Sequence, residues 1–283
     1  MGRRREPIDR RRTKPAPMGD TDPHRLLELA ASLASRAGDL LRGGLDQARR
    51  EVSTKSSATD MVTEMDRASE DLILSGLAEH RPADAVVAEE RGRSEGTTGV
   101  RWLVDPLDGT TNYLYRLPAF AVSIAAHGPE GPLLGVVHDP SREATYTALA
   151  GEGAWLDGTR LRRSPAPALD RALIGTGFSY DPARRAAQAR LLPTVLPAVR
   201  DIRRVGAAAL DLCWVAAGHL DGFYEAGLAP WDVAAGALVA REAGASVASV
   251  AATQALPEVV VAAAPGLGDP LDDLVRRALA TGR

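Results

Sequence analysis

The chain of 283 residues has one cysteine, two lysines (Lys14 and Lys55) and only 4% aromatic residues. The single thiol, Cys213, excludes an internal disulfide and a cysteine-built zinc cluster, and suits a reducing compartment. Apolar runs such as Val259 to Ala264 fall far short of the ~18 residues a membrane-spanning helix needs. No apolar segment follows the opening arginines before Met18, so no signal peptide is expected and the protein is expected to be cytoplasmic. Neither lysine sits in a Gly-x-x-x-x-Gly-Lys-Ser/Thr loop, which excludes a P-loop NTPase. The five histidines form no His-Glu-x-x-His zinc motif.

The remaining composition is ordinary for a globular protein: 45% hydrophobic and 25% charged. A chain this long buries roughly 75% of its unfolded surface, so it folds without a metal or disulfide. The net charge of −3 is unevenly spread. Residues 1–20 carry seven basic side chains against three acidic, and the rest 27 against 34. An Arg-rich arm can touch nucleic acid, but its composition is that of a disordered tail, an upstream extension of a start at Met18. The acidic body argues against a nucleic-acid partner.

Asp22-Pro23 is a helix-start signal, and Leu26, Leu29, Ala30, Leu33, Ala34, Ala37, Leu40 and Leu41 follow helical spacing up to Gly43-Gly44. A second helix is expected over Asp66 to Glu79. Residues 85–88 and 102–104 read as short buried strands. Strands are expected over 120–126, 133–138 and 145–149, with a hairpin turning at Asp157-Gly158. Helices are then expected over 183–199, 207–217, 231–243 and 271–279, and strands over 221–225, 247–250 and 259–262. That order points to layered α and β structure, not a βαβ repeat.

Acidic residues gather where apolar segments end. Trp102-Leu-Val runs into Asp105, Pro106 keeps the chain from passing straight into a helix, and Asp108 turns back toward Asp105. Gly109 permits a close approach, and Thr110 can open a helix whose free N–H groups suit a phosphate. Two carboxylates so placed take up a proton unless a cation sits between them, and carboxylate oxygen favours Mg²⁺. The segment is equally readable as a polar turn, since Asp, Pro and Gly crowd ordinary turns. Asp66 and Asp232 each stand at a helix start, where a plain helix cap is a sufficient reading. Glu89 and Glu90 end a strand.

Together, Trp102-Leu-Val-Asp105-Pro-Leu-Asp108-Gly-Thr110-Thr-Asn112-Tyr113 and Trp231-Asp232-Val-Ala-Ala-Gly236 resemble the two signatures of the inositol monophosphatase family. Lys55-Ser-Ser-Ala-Thr-Asp60-Met-Val-Thr63-Glu-Met-Asp66 resembles its N-terminal motif, and Ala88-Glu89-Glu90 its acidic pair. Arg204-Val-Gly206-Ala-Ala-Ala-Leu-Asp-Leu-Cys213, with Asp221-Gly-Phe-Tyr-Glu225, resembles the bacterial inositol monophosphatase hallmark. The motifs occur in family order over about residues 23–280.

The resemblance implies a layered αβαβα sandwich over residues 21–283, with an N-terminal half of about 21–165 and a C-terminal half of about 166–283. It implies a homodimer that hydrolyses a small phosphorylated polyol with two or three Mg²⁺ ions per subunit and is sensitive to Li⁺. Glu89, Asp105 and the carbonyl of Leu107 would hold one ion; Asp105, Asp108 and Asp232 another. Thr110 and Asp66, with Glu89 nearby, would orient the attacking water, and the N–H groups of Gly109 and Thr110 would take phosphate oxygens. Asp108, Gly206, Ala208, Glu225 and Asp232 would face the substrate, with Ser179 as a further contact, and Lys55 would lean toward the acidic cluster unless it is an ordinary surface charge. Paired ions activate water for in-line attack without a covalent intermediate. The chain departs from the family at Ala88, Ala207 and Ala245, and its 246–262 segment lacks the usual hairpin turn.

Inositol 1-phosphate leads as substrate. Histidinol phosphate, fructose 1,6-bisphosphate and adenosine 3′,5′-bisphosphate are the alternatives, and no aromatic or arginine platform for a nucleotide is evident. A haloacid-dehalogenase-type phosphatase places its two aspartates two residues apart, whereas Asp105 and Asp108 are three apart. A regulatory protein that uses the Arg-rich arm on nucleic acid is the non-enzymatic rival.

Overall fold

The computed structural model describes residues 22–46, 52–54, 61–166, 168–251, 253–254 and 256–282, with side chains described outside 52–54 and 61–63. The expected arm, residues 55–60 of the N-terminal motif and the reading of Lys55 lie outside these residues. Eight helices are described: α1 (Pro23–Gly44), α2 (Glu64–His80), α3 (Thr110–Tyr115), α4 (Pro182–Ala189), α5 (Leu192–Val195), α6 (Ala208–Ala217), α7 (Pro230–Glu242) and α8 (Gly268–Thr281). The strands are β1 (Val52–Thr54), β2 (Met61–Thr63), β3 (Ala85–Ala88), β4 (Gly92–Ser94), β5 (Arg101–Asp108), β6 (Ala121–Gly128), β7 (Gly131–Asp139) and β8 (Ala144–Leu149). They continue with β9 (Gly153–Leu156), β10 (Thr159–Arg160), β11 (Leu173–Thr176), β12 (Asp201–Arg203), β13 (Gly222–Ala226), β14 (Ser246–Val250) and β15 (Val259–Ala263).

Helix α1 shows how local chemistry sets the first layer. The Asp22 carboxylate accepts from the His24 N–H at 3.0 Å, satisfying a donor that no helical carbonyl can reach. The stripe Leu26, Ala30, Leu33, Ala34, Ala37 and Leu41 is buried. It packs with α2 against an eight-stranded sheet ordered β10-β9-β8-β7-β6-β5-β3-β4. Helices α6 and α7, lined with Ala209, Leu212, Ala235 and Val239, cover the other face of that sheet. Beyond them lies a five-stranded sheet, β12-β11-β13-β15-β14, whose far side is closed by α8 with Leu271, Leu274 and Val275. The result is the αβαβα sandwich expected from the resemblance.

Three expectations are corrected. The helix expected over 183–199 is broken into α4, α5 and a 3₁₀ turn at Leu196–Ala198, because Pro193 and Pro197 remove donors and crowd the preceding turn. Strands β11 and β12, only four and three residues long, were not expected. The β5 strand does not stop at Val104 and turn; it runs on through Asp108. Segments β14 and β15 pair antiparallel without a tight Asp-Gly turn, the register running from Ser246–Ala263 to Val250–Val259.

Two features of topology place the site. Asp105 pairs with Ser123 and Asp108 with Ala121, so three steps along β5 oppose two along β6. In a regular strand residues three apart face opposite sides; this bulge at Pro106-Leu107 lets both aspartates face one side. In the smaller sheet β12, β11 and β13 are neighbours and parallel, so their carboxyl ends lie side by side, the edge where open α/β sheets bind ligands.

Candidate active site

The acidic end of the site is built on the β5 bulge. Oδ1 of Asp105 accepts from the Leu107 N–H at 3.0 Å, and the Ser69 hydroxyl of α2 donates to the Pro106 carbonyl at 2.8 Å. Gly109 follows with φ of 89°, and a Cβ there would lie 2.9 Å from the Ala119 carbonyl oxygen. Only glycine makes that turn without moving backbone. It delivers Thr110, whose hydroxyl lies 3.0 Å from Oδ1 of Asp66 and 3.2 Å from the Leu107 carbonyl. Asp66 is fully buried in the first turn of α2, which begins two residues before it at Glu64.

The other carboxylates are fixed by backbone amides. Helix α6 has Ala207 at its cap position and no side-chain oxygen there. Oδ2 of Asp108 supplies the missing acceptor, taking the Ala209 N–H at 2.7 Å. Asp232, in the first turn of α7, accepts from the Ala229 N–H at 2.7 Å, so the helix-cap role is real. It does not exhaust the residue, because Asp232 also lines the cavity described next.

A cavity of about 320 Å³ is walled by Glu89, Asp105, Leu107, Asp108, Gly109, Thr110, Gly206, Ala208, Glu225 and Asp232, together with Ser179. Asp66 does not line it and reaches it through Thr110. Glu225 lies over Gly177, where a Cβ would fall about 2.0 Å from its carboxylate, so the missing side chain is what admits it. One expectation fails: Phe178, Tyr180, Trp231, Arg184 and Arg204 also line the walls, so aromatic and arginine groups do stand at the site. Arg204 sits within the recognised motif, but Arg184 and Tyr180 carried no sequence signal. Parallel pairing of β11 with its neighbours, invisible in the sequence, brings them there.

The electrostatics are those of a cluster that lacks positive charge. Burial, then the charges of Glu89, Asp108 and Asp232, hold the Asp105 carboxyl well above the usual carboxylate range. Burial pushes Asp108 up to about 7, against the Ala209 amide, with Glu225 and Glu89 adding to the rise. Burial likewise raises Glu225 to about 7, opposed by Arg204. Among the described residues no three His, Cys, Asp or Glu side chains are grouped closely enough to hold an ion unaided. A cation here would therefore need ligands beyond the carboxylates, and the Leu107 carbonyl on the same wall is one. The donor set is all oxygen and the cluster has excess negative charge, so it fits a hard divalent ion.

This has a consequence for stability. Carboxyls with pKa values raised on folding bind more protons in the folded than in the unfolded state between about pH 4.5 and 7, so stability falls as pH rises through that window. In EDTA the Tm is expected to be several degrees lower at pH 8 than at pH 5.5, with Mg²⁺ recovering most of the loss at pH 8. Differential scanning calorimetry checks it; a Tm that is flat or rises over that range in EDTA would contradict the assignment of these carboxyls.

The family model for the "Inositol monophosphatase family" matches residues 22–279. The chain belongs to the inositol monophosphatase family. It is 44% identical over 271 residues to the Mycobacterium tuberculosis protein named Inositol-1-monophosphatase SuhB, covering 89% of this chain and 93% of that relative. It is 38% identical over 266 residues to the Escherichia coli protein named Nus factor SuhB, covering 90% of this chain and all of the relative. The crystal structure of the extragenic suppressor protein suhB from Bartonella henselae superposes with a TM-score of 0.83 at 34% identity, covering 89% and 99% of the two chains. As a member of the inositol monophosphatase family the protein is a phosphatase, and the αβαβα sandwich is that of the family's solved structures. Among the described residues no helix is long and apolar enough to cross a membrane.

Proposed function

We propose that this inositol monophosphatase family member is a Mg²⁺-dependent phosphomonoesterase that hydrolyses a small polyol phosphate, inositol 1-phosphate foremost. The observation that carries this reading is the β5 bulge, which turns Asp105 and Asp108 into one cavity beside Thr110, with Glu89 and Asp232 on the same walls. Glu89, Asp105 and the Leu107 carbonyl would hold one ion, and Asp105, Asp108 and Asp232, completed by oxygens from substrate or water, a second, in a complement of two or three per subunit. When bound, the ions supply the positive charge that polarises the phosphate and acidifies water.

The chain's own groups do the rest. Asp66 accepts a hydrogen bond from the Thr110 hydroxyl, which leaves a hydroxyl lone pair to position an incoming water. The Gly109 and Thr110 amides are offered to phosphate oxygens, and Gly206, Ala208 and Glu225 to the leaving alcohol. A carboxyl near neutrality at Glu225 can either accept from or donate to a polyol hydroxyl. No nucleophilic side chain is required, so no phosphoenzyme forms. A cytoplasmic homodimer inhibited by Li⁺ is part of the same reading.

The test is phosphate release from inositol 1-phosphate, histidinol phosphate, fructose 1,6-bisphosphate and adenosine 3′,5′-bisphosphate with Mg²⁺, with and without Li⁺. Mg²⁺-dependent, Li⁺-sensitive hydrolysis of inositol 1-phosphate is the expected result. Turnover of none of the four would overturn the reading. It would favour a second one, suggested by the name of the Escherichia coli relative: a regulatory role in a nucleic-acid-associated complex.

A further inference from the structure

Two neighbouring strands of the smaller sheet part just as they reach the cavity. Strands β11 and β13 pair in parallel from Ile174–Gly222 to Thr176–Tyr224, and there their ladder ends. Strand β13 runs on through Glu225 and Ala226, still paired on its other side with Val260 and Val259 of β15. The chain leaving β11 bears away through Gly177, whose missing side chain makes room for the Glu225 carboxylate. Two residues later comes Ser179, which lines the cavity as Glu225 does. No rung between β11 and β13 is left at that level to fix how far apart the two stand.

A side chain from a third element bridges the gap. Gln188, near the end of α4, is 4% exposed. Its Oε1 accepts from the Ser179 N–H at 2.7 Å, and its Nε2 donates to the Ala226 carbonyl at 3.2 Å. A primary amide offers a donor and an acceptor as a peptide unit does, so one side chain replaces the lost rung. Gln188 also borders, with Gly177 and Glu225, a void of about 10 Å³ behind the wall.

The helix that carries this amide is itself anchored. Asp181 caps α4 by accepting from the Arg184 N–H at 2.8 Å. Arg185 donates to the carbonyls of Ser179 and Tyr180, at 2.8 and 3.1 Å. These bonds tie α4 to the loop before it, and the Gln188 pair ties both to β13. Gln188 does not line the cavity, so it acts on a ligand through Ser179 and Glu225 alone.

We infer that Gln188 is a positioning residue for the leaving group: its amide holds Ser179 and Glu225 at the separation that suits a polyol, and so sets the preference for polyol phosphates over esters whose alcohol has no further hydroxyl. Hydrogen bonds to a hydroxyl tolerate only a few tenths of an ångström, and a displacement of about 1 Å made away from the reacting atoms costs up to about a hundredfold in rate. The phosphate end stands on β5, α3 and α7, none of which the Gln188 amide bonds. Loosening Gln188 therefore harms recognition of the alcohol and spares the chemistry at phosphorus. The inference rests on the phosphatase reading above and names what tunes its specificity.

The test compares inositol 1-phosphate with phenyl phosphate, whose leaving group has no hydroxyl to place, using Mg²⁺ and the full chain. Gln188→Met keeps the length of the side chain and removes both bonds. The ratio of kcat/KM, inositol 1-phosphate over phenyl phosphate, is expected to fall at least about tenfold, with phenyl phosphate itself within about twofold of wild type. Gln188→Asn, one methylene too short to span the gap, guards against a methionine variant that fails to fold; its ratio is expected to fall at least about threefold. A merely structural role would lower both substrates together or shift only the Tm. An unchanged ratio in the folded variants, or an equal loss on both substrates, would overturn the inference. So would a wild type that hydrolyses phenyl phosphate and not inositol 1-phosphate, although the phosphatase reading would then stand. If the wild type hydrolyses neither ester, that reading fails and takes the inference with it.

Discussion

Replacement of Asp105 by asparagine is expected to leave the fold intact and to lower kcat at least a hundredfold. Asparagine keeps the side-chain oxygen that accepts from the Leu107 N–H at 3.0 Å, so the bulge keeps its internal bond. It removes a charge from a position 2% exposed and crowded by Glu89, Asp108 and Asp232. In the metal-free protein that relieves repulsion, so Tm at pH 8 is expected to hold or rise. Turnover should fall because, in the proposed arrangement, Asp105 is the ligand shared by both ions. A hundredfold loss is about 2.7 kcal/mol of barrier, modest for the loss of charge compensation at the proposed metal site. Steady-state kinetics and thermal melts on one preparation separate the two effects. If Asp105 were only a turn residue, Asp105→Asn would keep most of its activity; retention of more than about a tenth of the wild-type rate would contradict its assigned place.

Much of this site could be read from the sequence, because its motifs lie where the chain changes element and such places are local. The cap at Asp22, the helix start before Asp232 and the glycine at 109 each follow from one or two residues. The β5 bulge did not. Asp105-Pro-Leu-Asp108 reads naturally as a strand followed by a tight turn. That it is a bulged strand depends on the pairing of Ser123 and Ala121 opposite, a non-local fact. Residues 183–199 misled for a different reason: apolar spacing suggested one helix, while Pro193 and Pro197, in plain view, carried the stronger constraint. Strands β11 and β12 are too short to show a period. Missing them hid the arginine-bearing wall, since their parallel pairing sets the carboxyl ends of β11 and β12 side by side, and the segments that follow carry Arg184 and Arg204 to one cavity.

The reach of Asp108 to α6 is a case where structure explains a sequence departure. Ala207 stands where the family has Ser or Thr, and the helix it precedes has no cap of its own. Asp108 provides one from a different sheet layer, at 2.7 Å from the Ala209 N–H. The residue that would hold a cation thus also joins the two halves of the cavity, and its loss is expected to affect more than catalysis.

The largest effect of all is expected from removing the metal. The carboxyls of Asp105, Asp108 and Glu225 are all held above their ordinary range in the protein by itself, chiefly by burial. At neutral pH the cluster must either keep protons or gain a cation. In the first state the carboxyls near the phosphate seat are neutral and offer the substrate dianion no positive charge. Activity is therefore expected to be all but absent without a divalent ion, while the sandwich, whose three apolar cores do not involve the site acids, stays folded. The most direct measurement is phosphate release from inositol 1-phosphate by protein stripped with EDTA and then titrated with Mg²⁺, with circular dichroism recorded at each point. The expected result is a folded protein with less than about a hundredth of full activity after chelation, recovering saturably as Mg²⁺ is returned. Full turnover by the stripped, folded protein would show that these acids are not gathered there to hold a cation.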